Sequence, residues 1–135
     1  MSGIVVAENG MGRYQQAVTI GQHQLIADEP VSVGGADAGP APFDFVMTGL
    51  GACTSMTLRM YAERKGLAVT RISVALSHDT VQIDGVPRNR IQRNITLEGD
   101  LSAEQRQRML EIANKCPVHR ALSQSIQVES ALSEE

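Results

Sequence analysis

The sequence predicts an α+β fold, in which strands and helices share a single domain over residues 1–135. Three observations predict it. Alternating apolar residues mark a strand hairpin on either side of the chain's centre, an apolar stretch over residues 43–65 carries helix signals at both ends, and a capping box near residue 102 opens a second helix. A chain of this length can bury a core without disulfides.

The N-terminal part reads as strands and turns. Ile4–Ala7 is a short strand candidate, and residues 14–20 and 23–27 flank Gly21-Gln22, a pair suited to a type II′ hairpin turn. Residues 28–42 are rich in glycine and proline and predict a loop without regular structure.

A long helix is predicted from about Phe43 to Lys65. Pro42 fits its first turn, Asp44 suits the positive end of its dipole, and Gly66 follows a cationic last turn. The second half of the chain then predicts another hairpin, with a type I′ turn at Asp84-Gly85.

This helix has almost no polar face before residue 59, which predicts that it is buried on all sides. Gly49 and Gly51 each cost roughly 1 kcal/mol relative to alanine inside a helix. A close approach of another backbone would offset that cost. Because the chain is small, we expect a second subunit to cover part of the helix.

The C-terminal part predicts two helices and a strand. Ser102 and Gln105 form a capping box, and the buried stripe of the helix behind it is expected at Met109, Leu110, Ile112 and Ala113. Pro117 ends this helix and fits the first turn of a short one over residues 118–123. Residues 126–128 predict a last strand before an acidic tail.

The composition excludes several function classes. The chain has a net charge of −3, no Trp, two Tyr and two Phe, so it lacks the basic patch and the aromatic platform of nucleic-acid binding. No apolar run reaches transmembrane length, and the first residues show neither a basic leader nor an apolar signal core. We therefore expect no membrane partner and a cytoplasmic location.

No motif predicts a cofactor or a metal. The glycines of residues 34–39 do not follow the G-x-G-x-x-G pattern. Cys116 and His119 have metal-ligand spacing, but a structural zinc site needs four ligands, and His23 and His78 are isolated. We expect neither group.

The two cysteines are the main candidates for chemistry. Cys53 lies in the apolar helix, where it is either a small packing residue or a thiolate that attacks the O–O bond of a peroxide. A thiolate needs a nearby cation or helix end, and Cys53 lies mid-helix. The candidate cations are Arg13, Arg59, Arg120 and His119.

Cys116 lies at the predicted start of the short helix. There, backbone N–H groups would point towards its sulfur, with His119 and Arg120 within one turn. A sulfenic acid at Cys53 would condense with Cys116 to a disulfide, if the two lie close together. Otherwise Cys116 is a packing residue at a bend.

Several segments together resemble the OsmC/Ohr superfamily of osmotically inducible and organic hydroperoxide resistance proteins, over about residues 10–130. The chain is most similar to the broad OsmC-like branch. The segments are Asp28-Glu29-Pro30, Gly34-Gly35, Gly39-Pro40-Ala41-Pro42-Phe43-Asp44, Leu50-Gly51-Ala52-Cys53-Thr54-Ser55-Met56 with the residues up to Ala62, and Cys116-Pro117-Val118-His119-Arg120-Ala121-Leu122.

The resemblance implies an intertwined homodimer with β-sheets wrapped around long central helices. It implies a thiol peroxidase in which Cys53 attacks an organic hydroperoxide, Cys116 resolves the sulfenic acid, and a dithiol reduces the disulfide. It also implies an arginine from the N-terminal hairpin of the other subunit, for which Arg13 is the best match. Hydroperoxidases of the family hold that arginine with a glutamate ten residues before the first cysteine, where this chain has Phe43, followed by Asp44.

Two functions remain open from the sequence. One is the cysteine-based peroxidase for organic or lipid hydroperoxides. The other is a catalytically weak or silent OsmC-like dimer that binds a small apolar ligand, with cysteines that only pack. The peroxidase requires the two cysteines to lie within disulfide range, with Cα atoms less than about 7 Å apart.

Overall fold

The computed structural model describes residues 3–133, which form two compact units, one up to Thr48 and one from Gly49 onwards. The first unit holds a three-stranded antiparallel sheet in the order β1-β2-β3: β1 Ile4–Glu8, β2 Gln16–Ile20 and β3 His23–Ala27. Gly21 has a φ of 59°, which a type II′ turn requires at its first central residue. The predicted hairpin is confirmed.

A buried carboxylate organises the loop that follows β3. Asp28 is 3% exposed, and it accepts backbone N–H bonds from Glu29 at 2.8 Å, Ala36 at 3.2 Å and Ala38 at 3.1 Å. These bonds, that from Ala38 foremost, lower the pKa of Asp28 against the opposing effect of burial. The predicted irregular loop therefore has a fixed shape, and it contains one 3₁₀ turn over Val31–Val33.

Helix α1, Pro42–Lys65, begins in the first unit and continues into the second. The second unit adds the hairpin of β4 Val69–Ile83 and β5 Val86–Gly99, then α2 Ala103–Ala113 and α3 Pro117–Leu122. Asp84 and Gly85 have φ values of 52° and 75°, as the predicted type I′ turn requires. The predicted capping box of Ser102 and Gln105 is present with both of its hydrogen bonds.

The core of the second unit lies where α1, α2 and the hairpin meet. Its buried members are Leu58, Tyr61, Ala62, Val69, Met109, Ile112 and Ala113. The prediction that Leu110 joins this stripe is wrong, because Leu110 is 48% exposed. Each helical residue turns by about 100°, so Leu110 leaves the face that Met109, Ile112 and Ala113 share.

The predicted strand over residues 126–128 is also wrong. These residues carry no regular structure, and Ile126 and Val128 are 58% and 79% exposed. A strand is stable only when a neighbouring strand satisfies its backbone N–H and C=O groups, and none within residues 3–133 pairs with this segment. Anywhere in residues 3–133, no helix is long and apolar enough to cross a membrane.

Helix α1 is not buried on all sides by its own chain. Its buried residues are Leu50, Gly51, Thr54, Leu58, Tyr61 and Ala62. On the opposite side Gly49 is exposed, and the exposed fractions of Met56 and Met60 are 60% and 65%. The expectation of complete burial is therefore wrong for a single chain, and a second subunit as the cover stays a prediction.

Candidate active site

The two cysteines, both reduced, meet in the second unit. Cys53 is half-buried on α1, and Cys116 is fully buried at the residue that precedes α3. The thiol of Cys116 lies close enough to the sulfur of Cys53 to hydrogen-bond with it. The residues are 63 positions apart in the sequence (116 minus 53), so this contact depends on the packing of α3 against α1.

Cys116 is the N-cap of α3. Its backbone is extended, with φ −65° and ψ 140°, Pro117 occupies the first helical position, and the Cys116 Sγ accepts the backbone N–H of His119 at 3.2 Å. Proline suits this position because the first N–H groups of a helix have no partner within it. The prediction that α3 begins here with N–H groups towards the sulfur is confirmed.

The surroundings of Cys53 favour its thiolate. Burial raises the pKa of the Cys53 thiol, and it is the largest single influence. Hydrogen bonds from the backbone N–H of Val118, from Cys116 and from the Thr57 hydroxyl act against it, as does the positive charge of Arg93. Together they hold the pKa of Cys53 below its ordinary value, so more of the thiol is ionised near neutral pH.

Arg93 links the elements that carry the two cysteines. Its Nη1 donates to the Thr54 Oγ1 at 2.9 Å and to the Ala113 carbonyl at 3.2 Å, and its Nη2 donates to the Asn114 Oδ1 at 2.7 Å. Thr54 is fully buried, and its Oγ1 lies 3.9 Å from the Cys116 Sγ. One guanidinium thus connects β5 with α1 and with the end of α2.

Arg93 is not among the residues predicted from the sequence, although the sequence contains a signal for it. Strand β5 alternates, and its half-buried residues include Ile91, Arg93, Ile95 and Leu97. Arg93 thus shares the apolar face of the strand and stands opposite Leu76 of β4. An arginine is seldom half-buried on such a face unless hydrogen-bond partners surround it. Its position in the alternation therefore marks it as a candidate site residue.

The cations that the sequence did suggest have other surroundings. Arg59 donates from its Nη1 to the Val69 carbonyl at 2.9 Å, and Arg120 is exposed. Burial, and to a lesser degree the charge of Arg93, lower the pKa of His119. The imidazole is therefore mostly neutral at neutral pH and a poor counter-charge for a thiolate.

Arg13 lies in the first unit, in the connection between β1 and β2. It is exposed, and its guanidinium carbon lies 4.9 Å from the centre of the Tyr14 ring. The role of Arg13 towards Cys53 stays a prediction. Asp44, the neighbour of Phe43, accepts the backbone N–H of Ala41 at 3.0 Å and so caps the start of α1.

A cavity of about 390 Å³ opens between α1, β5 and α2. Leu58, Ile95, Leu97 and Met109 are among its lining residues, and neither cysteine is. Among residues 3–133, no three His, Cys, Asp or Glu side chains are grouped so that they could hold a metal ion.

Solved structures share this fold. An OsmC-like protein from Mycoplasma pneumoniae is 19% identical with a TM-score of 0.75, covering 91% of this chain and 87% of that one. For an organic hydroperoxide resistance protein from Legionella pneumophila these values are 15%, 0.70, 90% and 88%, and for one from Bacillus subtilis 18%, 0.63, 90% and 89%. At such identities the likeness concerns the fold.

A comparison with curated proteins gives no match. The family model described as OsmC-like protein matches residues 34–131, which include both cysteines, Thr54, Arg93 and Asn114. The match covers well over half of the sequence and agrees with the resemblance carried by the two cysteine segments. This chain belongs to the OsmC-like protein family.

Proposed function

We propose that this protein is a thiol peroxidase that reduces organic hydroperoxides through Cys53 and a Cys53–Cys116 disulfide. The observation that carries the proposal is the placement of the Cys116 thiol beside the Cys53 sulfur, together with the lowered pKa of Cys53. A packing cysteine needs neither an ionised sulfur nor a second thiol beside it, whereas a peroxide-reducing cysteine uses both.

The reaction balances with these two residues and an external dithiol. The Cys53 thiolate attacks the distal oxygen of the hydroperoxide, the O–O bond breaks, and the leaving alkoxide takes a proton to give the alcohol. Cys53 is now a sulfenic acid. The Cys116 sulfur attacks it, a disulfide forms, and the hydroxyl leaves with a proton as water. A dithiol then returns both thiols by two exchange steps and supplies the two electrons.

The surroundings of Cys53 favour an organic substrate. Cys53 is half-buried, and it lies one helical turn from the exposed Met56 on an apolar part of α1. An alkyl hydroperoxide can bury its apolar group beside Cys53, whereas hydrogen peroxide has no apolar group to bury. Two of the structures with this fold are named as organic hydroperoxide resistance proteins.

A homodimer is part of the proposal. In the second unit, Gly49, Met56 and Met60 form an uncovered apolar stripe on α1. In the first unit, Ile4, Val5 and Val6 of β1 are each more than half exposed. Apolar surfaces of this kind are typical of protein–protein interfaces. In this dimer Arg13 of one subunit would reach Cys53 of the other and orient the peroxide.

The test is stopped-flow oxidation of the reduced protein with cumene hydroperoxide and hydrogen peroxide. Cys53→Ser should lose peroxide consumption, and Cys116→Ser should consume one equivalent and stop at a sulfenic or over-oxidised Cys53 that mass spectrometry detects. Ser55→Ala, which keeps both thiols, is the control. If the two cysteine phenotypes were exchanged, Cys116 would be the attacking thiol. If wild type consumed no peroxide, the silent ligand-binding dimer would be the better description.

A further inference from the structure

Arg93 occupies a position that an arginine rarely takes. It lies between Ile91 and Ile95 on the half-buried face of β5, and it pairs with Leu76 of β4. Removing part of a guanidinium from water is costly unless hydrogen-bond acceptors replace that water. Three acceptors do so here, at 2.7 to 3.2 Å, and none of them is a carboxylate. The three bonds therefore leave the positive charge of Arg93 without a formal counter-charge.

The three acceptors belong to the elements that carry the thiols. Thr54 directly follows Cys53 on α1, while Ala113 and Asn114 lie three and two residues before Cys116. Lengthening these bonds would free the end of α2, and Cys116 with it, from α1. The Thr54 Oγ1, held by Arg93, in turn lies 3.9 Å from the Cys116 Sγ.

We infer that Arg93 is a positioning residue of the two-thiol site: it ties Thr54 to the chain that leads into Cys116, and its unneutralised charge favours the thiolate of Cys53. This role rests on the proposed peroxidase function. It differs from the role expected of Arg13, because Arg93 works from within the packed face of β5 and needs no substrate to be in place.

Arginine fits the task better than lysine would. The planar guanidinium reaches Thr54 and Ala113 from one nitrogen and Asn114 from another, whereas a lysine ammonium is a compact point charge on a flexible stem. Lysine therefore keeps the charge and loses part of the tether. Glutamine keeps hydrogen-bond donors and loses the charge. These two substitutions separate the two parts of the role.

The charge is tested by the pH profile of Cys53 alkylation with iodoacetamide, in a Cys116→Ser background where Cys53 is the remaining thiol. We expect Arg93→Gln to slow alkylation at pH 7 by roughly fivefold, the effect of one unit charge lost at short range in a partly screened site, and to move the profile upward. Arg93→Lys should stay close to the parent. His119 lies in α3 beside this site, and its pKa is lowered by burial.

Arg90→Gln is the matched control. Arg90 lies on the same strand as Arg93 and pairs with the exposed Asp79 instead of the thiol site. The substitution removes the same charge as Arg93→Gln does. Its alkylation profile should match that of the parent. An Arg93→Gln profile that also matches the parent would overturn the charge part of the inference.

The tether is tested in the two-thiol protein by equilibrating the Cys53–Cys116 disulfide with glutathione and counting free thiols by mass spectrometry. Arg93→Lys and Thr54→Val should each shift the equilibrium at least threefold towards the free thiols, because looser thiols have a lower effective concentration. If both variants match wild type, the positioning role is wrong. This measurement still tests the positioning role if Arg93→Gln fails to fold.

The two measurements separate this inference from the proposed function. Alkylation involves no peroxide, so a protein that consumed no hydroperoxide could still show the Arg93 effect on Cys53. Conversely, peroxide consumption that depends on Cys53, combined with unchanged alkylation and disulfide equilibria in the Arg93 variants, would retain the peroxidase and discard the role of Arg93.

Discussion

Both faces of α1 are largely apolar in sequence before residue 59, but they have different surroundings. On one face Leu50, Thr54 and Leu58 are at most 5% exposed. On the other, Met56 and Met60 are 60% and 65% exposed. An apolar surface on a helix therefore predicts that the surface is buried, but it does not predict which part of the chain or which partner buries it. One face of this helix is packed by its own chain, and the opposite face is left open for a partner.

The two glycines of α1 show the same difference at close range. A Cβ built on Gly51 would lie 2.7 Å from the Leu76 Cδ1, so glycine at this position lets β4 approach the helix. A Cβ on Gly49 would meet no atom within 4 Å. The sequence suggested one reason for both glycines, whereas within a single chain only Gly51 has a neighbour that requires it.

Cys53 lies at the boundary of the two faces. It follows the exposed Gly49 by four residues and the buried Leu50 by three, and it is itself half-buried. One side of its thiol thus meets Cys116 and the N–H of Val118. The other side lies next to the uncovered apolar stripe, so in the proposed dimer it would lie at the edge of the subunit interface, where the proposed peroxide would approach.

The largest expected effect on stability is that of Leu58→Ala on the packed face. Leu58 is fully buried in the core, so the truncation should lower the free energy of unfolding by about 2–5 kcal/mol in urea melts. Met60→Ala is the control on the open face. Its effect should be smaller and should depend on protein concentration, because it acts through subunit association. Equal, concentration-independent losses would remove the distinction between the faces.

The next largest loss of stability is expected at the two glycines of α1. Gly51→Leu should destabilise the chain by about 1–3 kcal/mol, since the new side chain must displace Leu76. Gly49→Leu should leave the stability of the isolated chain nearly unchanged and weaken the proposed dimer. Urea melts and sedimentation velocity on the two variants distinguish these outcomes. A Gly49→Leu chain that unfolds as easily as Gly51→Leu would contradict the comparison.

The open face is tested directly by Met56→Glu combined with Met60→Glu. Two carboxylates on this stripe should dissociate the proposed dimer, because burying them without partners is unfavourable, while the circular dichroism spectrum stays that of the folded chain. Sedimentation equilibrium at micromolar concentration measures the result. A wild-type protein that is already monomeric under these conditions would show that no second copy covers the stripe.

The smallest effect is expected at the boundary. Thr57→Val removes one hydroxyl that hydrogen-bonds to Cys53, so the pKa of the thiol should rise and the thiolate fraction near pH 7 should fall. Alkylation at that pH should slow by roughly twofold, as expected for one modest hydrogen bond. Ser55→Val serves as the control. Faster alkylation in Thr57→Val would mean that the hydroxyl stabilises the neutral thiol instead.

The features that could be predicted from the sequence are those that short segments determine. The turns at Gly21 and at Asp84-Gly85, the capping box at Ser102 and the proline start of α3 each depend on a few adjacent residues. Their backbone conformations follow from local steric and hydrogen-bonding rules. For the same reason Cys116 was placed correctly at a helix start.

The features that were missed depend on distant partners. Leu110 and residues 126–128 carry the right pattern, but burial and pairing are decided by what lies opposite them. Arg93 was overlooked because its three acceptors are 20 to 39 residues away in the sequence. Whether Arg13 acts on Cys53 is likewise a question of distant partners, and it stays a prediction.

The cap that Cys116 provides links oxidation to the local stability of α3. This helix has six residues, and the Cys116 sulfur accepts a hydrogen bond from its first turn. A sulfur drawn into a disulfide is a weaker acceptor and is turned towards Cys53, so α3 would lose its side-chain cap. Amide hydrogen exchange of residues 118–123 should then be faster in the disulfide form, with α2 unchanged. The exchange rate of α3 would then report the redox state of the two cysteines, although no atom of α3 itself reacts with the peroxide.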